Sequence, residues 1–176
     1  MMFADEASVS INAPVRRSYA PKGQRPVIRT NSEVGKRVYA ASAISENGDL
    51  FHQVREKAFD AKAIIEFLRS ILQKLDKKVI LIWDNASIHD CEAIRSFLNT
   101  DPIAQNIHLA KIPIYSPQFN PDEQVWHLVK NHGLYNTCYR IVKELIDKLD
   151  AELIDLSKKP ELIRQFFKHP EVYFYA

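Results

Sequence analysis

Three acidic residues occupy positions from which they could act together on a phosphate group. Asp5 lies in the segment FADEASVSI, Asp84 directly follows the apolar run VILIW, and Glu123 lies in IPIYSPQFNPDEQVWHLVK. Carboxylate oxygens are ligands that Mg²⁺ prefers. Two such ions can activate an attacking oxygen and stabilise a leaving oxygen in phosphoryl transfer. These residue types therefore suit metal-dependent phosphoryl transfer.

Other kinds of site find less support in the sequence. His127 and His132 are five residues apart, which is off the i, i+4 face that a helical zinc pair uses. A glycine-rich phosphate loop is also absent from the sequence, which argues against a nucleotide hydrolase. Cys91 and Cys138 have no partner motif and are predicted to be free thiols of a reducing compartment, with a single disulfide as the alternative.

The first acid stands in an unusual place. FADEASVSI alternates with a period of two, which is typical of a half-buried strand, and Asp5 falls on the apolar side while Glu6 falls on the polar side. A carboxylate on a core-facing edge is unfavourable unless it is paired or bound to a metal. The alternative is that Asp5 merely belongs to a frayed end of the chain.

The second acid lies where an apolar strand ends and the chain turns toward a helix. Functional groups of α/β sheets gather at such places. In the segment DNASIHD, Ser87 and Asp90 resemble a capping box, which would explain part of the motif without any site. That cap does not require Asp84 and Asn85. His89 either contacts and orients Asp84 without binding the metal itself, or is a structural histidine.

The third acid has the strongest structural alternative. Asn120, Pro121 and Glu123 fit the N-cap, N1 and N3 positions of a helix start. Prolines at 113, 117 and 121 nevertheless stiffen the approach beyond what a cap requires. Asp122 points in another direction and is the weaker candidate.

The helix that follows carries an acid, an aromatic ring and a cation on one face. Glu123, Trp126 and Lys130 recur at i, i+3 and i+7. Trp126 is predicted to be a core residue rather than a platform for base stacking. Lys130 either contacts a phosphate or is a solvated lysine.

The elements that must position these acids alternate in a definite order. The pattern predicts a first strand, a hairpin of residues 36–45 and 50–55 around Asn47-Gly48, and a helix capped by Asp60. A strand KKVILIWD covered on both faces follows, then a short helix near 88–98, a strand NIHLAKIP, and helices on either side of Pro160. This order predicts a mixed α/β sheet, antiparallel hairpins first and parallel crossover strands second, flanked by helices. It suits an RNase H-like fold.

Length and composition restrict the class of protein. At 176 residues with 46% hydrophobic residues, the chain is long enough for one domain with a real core. No apolar run approaches the roughly 18 residues of a membrane span, and no signal-peptide pattern is present. Net charge is only +2, but one segment is strongly basic. Such a segment attracts nucleic-acid phosphates or is a solvated surface. Between residues 14 and 37 its cations are Arg16, Arg17, Lys22, Arg25, Arg29, Lys36 and Arg37, against the single acid Glu33.

Three motifs together resemble the catalytic domain of mariner-like insertion-sequence transposases, the DDE superfamily endonucleases. FADE, LIWDNASIH and IPIYSPQFNPDEQVWHLVK follow one another in the order of that family, with 38 residues between Asp84 and Glu123. The similarity extends from Phe3 to about Lys130. RRSYAPKGQRP is similar to the family's arginine-rich segment, with Tyr19 where tryptophan is common, and Asp122 replaces the usual apolar residue.

The resemblance implies an RNase H-like fold and a catalytic triad of Asp5, Asp84 and Glu123 that binds two Mg²⁺ or Mn²⁺ ions. It implies nicking of DNA at transposon ends and attack of the freed 3′-hydroxyl on target DNA. Candidate DNA contacts are Arg16, Arg17, Lys22, Arg25 and Lys130, and candidate supports of the triad are Asn85 and His89. Residues 1–135 are predicted to form the catalytic core and residues 136–176 a helical extension of the same domain.

The resemblance also bears on partners. Only four residues precede Asp5, so we expect the family's helix-turn-helix recognition region to be missing or supplied by a separate chain. DNA binding is expected to be electrostatic, the chain to form a homodimer, and its location to be the cytoplasm and nucleoid of a prokaryote. Two alternatives stay open. One is a non-catalytic DNA-binding or oligomerisation remnant of a transposase, and the other is another RNase H-like nuclease such as a junction resolvase.

Overall fold

The strands join into one mixed sheet. A computed structural model describes residues 1–12, 19–25, 35–75, 77–113, 116–134 and 137–168. Its strands are β1 (Met2–Ser10), β2 (Arg37–Ser45), β3 (Leu50–Arg55), β4 (Val79–Trp83) and β5 (Ile107–Lys111), in the spatial order β3-β2-β1-β4-β5. β2 is antiparallel to β1 and β3, whereas β4 is parallel to β1 and β5. Hairpins therefore come first and parallel crossover strands second, as the chain order predicts.

Helices cover the sheet on both faces. They are α1 (Ala61–Lys74), α2 (Glu92–Thr100), α3 (Glu123–Leu128), α4 (Val142–Ser157) and α5 (Pro160–Phe166). Shorter 3₁₀ turns span Ser87–Asp90, Pro102–Asn106 and Pro117–Phe119, and a π-helical turn over Val129–Gly133 continues α3. The predicted cap of α1 is confirmed, because the Asp60 carboxylate accepts a hydrogen bond from the Ala63 N–H at 2.8 Å. Such caps contribute about 1 kcal/mol.

Strand alternation divides the core into two layers. Met2 and Ala4 of β1 belong to one cluster with α1 residues such as Phe67. Val9 of the same strand belongs to the opposite cluster, which includes Val125 of α3 and Leu149 of α4. Each fully buried apolar side chain of this size contributes about 1.5–3 kcal/mol. β1 is consequently held from both faces, so its side chains in the middle of the strand have fixed directions.

The turn between β2 and β3 depends on a glycine, as predicted from Asn47-Gly48. Gly48 has φ of +93°, a conformation that L side chains rarely adopt. Its N–H donates to the Ser45 carbonyl at 2.9 Å. A Cβ at this position would stand 2.7 Å from the Cβ of Pro160, so the turn also packs tightly against the start of α5.

The expectation that β4 is covered on both faces is wrong at one residue. Val79, Leu81 and Trp83 are buried, but Ile80 is 49% exposed. The reason is that α4 and α5 pack over β2 and β3, at the other side of the sheet. On that face of β4, only Ile82 is buried, against Phe3 and Ile112.

The predicted helix cap at Ser87 and Asp90 is also wrong. Ser87–Asp90 forms a 3₁₀ turn, and α2 begins only at Glu92, without a side-chain cap. The Asp90 carboxylate instead accepts hydrogen bonds from Arg95 Nε at 2.9 Å and Lys111 Nζ at 2.8 Å. The capping explanation for this motif therefore fails, which leaves its other polar residues to be explained.

The C-terminal helices are confirmed, with Pro160 as the first residue of α5. Leucines of α4 share the core cluster with β1 and β2. The division into residues 1–135 and 136–176 stays a prediction. Both cysteines are free thiols, as predicted. Among the described residues, no helix is both long and apolar enough to cross a membrane.

Candidate active site

Parallel pairing of β1 with β4 brings the first two acids to the same level. Met2 pairs with Leu81 and Phe3 with Ile82. Continuing that register by two residues places Asp5 beside Asp84, just where β4 has ended. Asp5 itself lies in the middle of β1 and pairs with Ser42 of β2. The alternative of a frayed end is therefore wrong.

The proline-rich stretch is tied directly to β1. Asn120 is 5% exposed, and its Nδ2 donates to the Ala4 carbonyl at 3.0 Å. The Asn120 Oδ1 accepts from the Asp122 N–H at 3.1 Å. The predicted helix start is nevertheless wrong by two residues, because α3 begins at Glu123 with Asp122 at the N-cap position and no side-chain cap. The reciprocal half of a capping box is not needed, since the Asn120 N–H donates to the Pro117 carbonyl at 2.9 Å. The Glu123 carboxylate is thus released from capping while its helix start is fixed beside Asp5.

The three acids line one pocket. It has a volume of about 320 Å³ and includes Asp5, Asp84 and Glu123. Among the described residues that line it, none is a lysine or arginine. The remaining lining residues are Asn85, Ala86, Ile112, Pro113, Ser116, Pro117 and Asn120. A concentration of carboxylates without a neighbouring cation is unfavourable unless a proton or a metal ion offsets the charge.

The Asp5 carboxyl responds most strongly to this environment. Burial, together with the negative charges of Glu123 and then Asp84, raises its pKa from 3.8 to about 8. At neutral pH and without a cation, this carboxyl retains its proton. Binding of a divalent ion would favour the charged form and release the proton.

Asp122 lies beside the pocket rather than in it. The residue is fully buried, at 0% exposure, and its Oδ2 accepts a hydrogen bond from the Ser42 hydroxyl at 2.6 Å. Burial and the neighbouring charge of Asp5 raise its pKa well above the usual value. Asp122 is not among the residues that line the pocket, and Glu123 is the acid of this pair that faces it.

One hydrogen bond and one ion pair hold the Asp84 carboxylate. Its Oδ1 accepts from the Ala86 N–H at 2.9 Å and lies 2.8 Å from His89 Nδ1, whose own hydrogen-bond partner is the Asp84 backbone carbonyl at 3.5 Å. Asn85 fixes the same loop, because its Nδ2 donates to the Ile112 carbonyl of the neighbouring segment. The predicted supporting residues Asn85 and His89 thus lie next to the acid.

His89 has a second carboxylate partner, which sequence reasoning did not identify. Its Nε2 lies 3.1 Å from Glu6 Oε1. Burial lowers the pKa of His89, but the hydrogen bond to Glu6 and the charges of Glu6 and Asp84 outweigh burial and raise it overall. Glu6 is adjacent to Asp5 in a strand, so it points to the opposite face of the sheet, where His89 lies. The alternation of β1 could have shown from the sequence that Glu6 faces away from Asp5. It could not have shown that His89 lies on that face.

The predicted DNA-contacting residues divide into two groups. Arg16 and Arg17 lie outside the described residues. Lys22 and Arg25 are exposed in a turn that ends with a hydrogen bond from the Gln24 N–H to the Pro21 carbonyl. Lys130 lies in the π-helical turn and shares a second pocket of about 320 Å³ with Glu123 and Trp126. Trp126 is 2% exposed, which confirms it as a core residue.

The donor chemistry of the first pocket fits a hard divalent cation. Within the described ranges, no group of three or more His, Cys, Asp or Glu side chains is already arranged as a metal site. The pocket nevertheless presents carboxylate oxygens from separate elements, and the part of its lining that the structure describes holds neither a sulfur ligand nor a lysine or arginine. Such a donor set suits Mg²⁺ or Mn²⁺ rather than softer metals.

Comparison with known proteins agrees with this geometry. The family model described as DDE superfamily endonuclease matches residues 1–146. The chain belongs to this family. Among curated proteins, no sequence matches this DDE endonuclease chain significantly.

Solved structures share the fold of this DDE family member. The mariner Mos1 paired-end complex with Mg has 19% identity and a TM-score of 0.67, covering 95% of this chain and 53% of that chain. The Mos1 strand transfer complex has 18% identity and a TM-score of 0.63, covering 93% and 53%. The Mos1 catalytic domain has 15% identity and a TM-score of 0.54, covering 93% and 80%.

These matches confirm the predicted family and the RNase H-like fold. At such identities the structural likeness concerns the fold alone. The chain spans about half the length of the Mos1 chains in the DNA complexes. The roles of individual residues in the pocket stay predictions.

Proposed function

We propose that the chain is the catalytic part of a mariner-like DNA transposase. It would nick DNA at transposon ends and join the freed 3′-hydroxyl to target DNA, in a metal-dependent reaction. The observation that supports this most directly is the single pocket that Asp5, Asp84 and Glu123 line together, with no lysine or arginine among its described lining residues. Membership of the DDE superfamily endonuclease family supports the same reaction class.

Asp5, Asp84 and Glu123 are the residues that would hold two divalent cations. Such a pair, when bound, supplies an activated attacking oxygen and stabilises the leaving oxygen of the phosphodiester. Mos1 paired-end complexes have been solved with Mg and with Mn, which supports the choice of metals. Asp5 would lose its proton on loading, while Asn120 and Asn85 keep the helix start and the loop after β4 in place.

DNA is the proposed partner, held mainly through its phosphates. Exposed Lys22 and Arg25, together with Arg16, Arg17 and Lys130, supply the positive charge. Such binding weakens steeply with salt because counterions are released from DNA. The proposal also includes a homodimer and a helix-turn-helix region supplied by another segment or chain. It places the protein with the nucleoid DNA of a prokaryotic cell.

The test is a nicking assay on supercoiled DNA with Mg²⁺ or Mn²⁺. Asp84→Asn preserves side-chain shape but removes the charge, so nicking should fall at least about 100-fold. Asp90→Asn is the matched control, because Asp90 is an exposed acid that pairs with Arg95 and Lys111 outside the pocket. Equal activity of Asp84→Asn and wild type would reject the assignment. Calorimetry that detects no divalent-ion binding by the wild type would favour a non-catalytic remnant.

A further inference from the structure

The Asp84 carboxylate is held on one side only. Its Oδ1 accepts a hydrogen bond from the Ala86 N–H at 2.9 Å and forms an ion pair with His89 Nδ1 at 2.8 Å. The same ring nitrogen lies 3.5 Å from the Asp84 backbone carbonyl. The side chain is otherwise 55% exposed and lines the pocket. The His89 ring therefore contacts both the carboxylate and the backbone of Asp84.

The His89 ring is itself fixed from two further directions. Its other nitrogen lies 3.1 Å from Glu6 Oε1. The ring also stacks on Trp83, with centroids 4.1 Å apart and planes 30° apart. His89 is 7% exposed and Trp83 only 2%. A ring held by a carboxylate at one nitrogen and by an indole on its face has one orientation available to it.

We propose that Glu6 is a positioning residue, which acts through His89 to aim the Asp84 carboxylate into the pocket. Glu6 is not among the residues that line the pocket. Its side chain is linked to the pocket by contacts from Glu6 to His89 and from His89 to Asp84. This inference rests on the proposed function of the pocket as a divalent-cation site.

The physical reason for such an arrangement is preorganisation. A half-exposed aspartate on a loop would otherwise sample several rotamers. Ion binding would then have to restrict the side chain to one of them, which weakens binding. Hydrogen-bonded partners behind a metal ligand typically change metal affinity or activity by about 10–100-fold when removed. The parallel register of β1 and β4, together with the alternation of side chains along β1, explains the different directions of Asp5 and Glu6. It puts Asp5 on the pocket side and Glu6 on the side of His89.

The test compares three substitutions at one position in the full chain. Glu6→Ala removes the contact, Glu6→Asp keeps the charge but shortens the reach to His89, and Glu6→Gln keeps both length and an acceptor oxygen. We expect Mn²⁺ affinity, measured by electron paramagnetic resonance, to fall about 10-fold or more for Glu6→Ala and Glu6→Asp. Glu6→Gln should stay within about threefold of wild type, because the geometry is preserved. Glu66→Ala, an exposed acid of α1, is the control.

Kinetics provide a second measure that a merely structural role would not reproduce. With Mn²⁺ at a fixed concentration below saturation, single-turnover nicking should slow in Glu6→Ala and Glu6→Asp while the apparent Kd for DNA is unchanged. Equal Mn²⁺ affinity and equal rates in all three variants would overturn the proposal. A uniform loss in all three, including Glu6→Gln, would also overturn it in favour of a general structural role.

A measurement without metal separates this inference from the proposed function. In ¹⁵N spectra of histidine-labelled, metal-free protein, the His89 side-chain N–H signals should be protected from exchange in wild type and Glu6→Gln. They should be lost or shifted in Glu6→Ala and Glu6→Asp. If wild type bound no Mn²⁺, the metal site would be rejected. The arrangement of Glu6, His89 and Asp84 would still be confirmed or rejected by these spectra.

Discussion

Two pairs of adjacent acids, Asp5 with Glu6 and Asp122 with Glu123, lie at or next to this pocket. The two side chains of each pair point in different directions, for a different reason in each pair. Asp5 and Glu6 lie on a strand, where neighbouring side chains point to opposite faces. Asp122 and Glu123 lie at the start of a helix, where neighbours differ by about 100°. In both pairs one acid lines the pocket, and the other is bound away from it, Glu6 to His89 and Asp122 to Ser42.

The difference lies in the kind of partner. Glu6 contacts a histidine that carries the contact on to Asp84. Asp122 contacts a serine in a fully buried position, where burial raises its pKa. One spare acid therefore supports a residue of the pocket, while the other supports the packing of a helix against the sheet. Adjacent acids in a sequence are thus poor guides to function until their partners are known.

The largest expected effect separates the two acids of the helix start. Glu123→Gln should reduce nicking at least about 100-fold, because it removes a charge from the pocket. Asp122→Asn should stay within about tenfold of wild type, since the amide oxygen still accepts from Ser42 and Asp122 does not line the pocket. Both are measured in the same nicking assay. An equal loss in both variants would mean that Asp122 belongs to the active site.

The second effect concerns pH and the first pair. The pKa of Asp5 is about 8 in the folded chain, against the ordinary aspartate value of 3.8, so between these values the folded state binds more protons than the unfolded state. Metal-free stability should therefore fall as pH rises from about 4 to about 8, and level off above that range. Asp5→Asn should raise the free energy of unfolding at pH 8 by on the order of 5 kcal/mol.

Urea denaturation across this pH range measures the effect. Asp5→Asn should reduce the slope without removing it, because Asp122 shifts in the same direction. Glu66→Gln, at an exposed acid of α1, serves as the control. A wild-type curve that rises with pH over this window would contradict the raised pKa of Asp5.

The smallest expected effect concerns the cation beside Glu123. Lys130→Ala should reduce the slope of log K against log salt by about 1 for DNA binding, with a modest loss of affinity. Lys62→Ala, an exposed lysine on α1, is the matched control. Fluorescence anisotropy with a labelled duplex at several salt concentrations gives both slopes. Identical slopes for wild type and Lys130→Ala would leave Lys130 a solvated lysine.

Much of the fold could be predicted because the signals are local. The alternation of β1, the Asn47-Gly48 turn and the apolar period of α1 each fix an element within a few residues. The failures have tertiary causes. Ile80 is exposed because helices on that face cover other strands, and Asp90 pairs with Lys111 from a strand that comes 21 residues later.

The candidate site was predictable in part for the same reason. Strand alternation located Asp5, the end of an apolar run located Asp84, and a helix-start pattern located Glu123. These three side chains line one pocket in the structure. Their roles remain predictions. The second partner of His89 was not predictable, since Glu6 is 83 residues away and its neighbour Asp5 gave the stronger signal.

By itself, the sequence determined which elements form and which acids stand at their ends, because hydrogen-bonding period and capping act over a few residues. Only the tertiary structure decided which acid of each pair faces the pocket. That choice depends on contacts between residues 80 and 83 positions apart, Ser42 with Asp122 and Glu6 with His89. No local pattern encodes such contacts, since they exist only once the sheet register and the helix packing are in place.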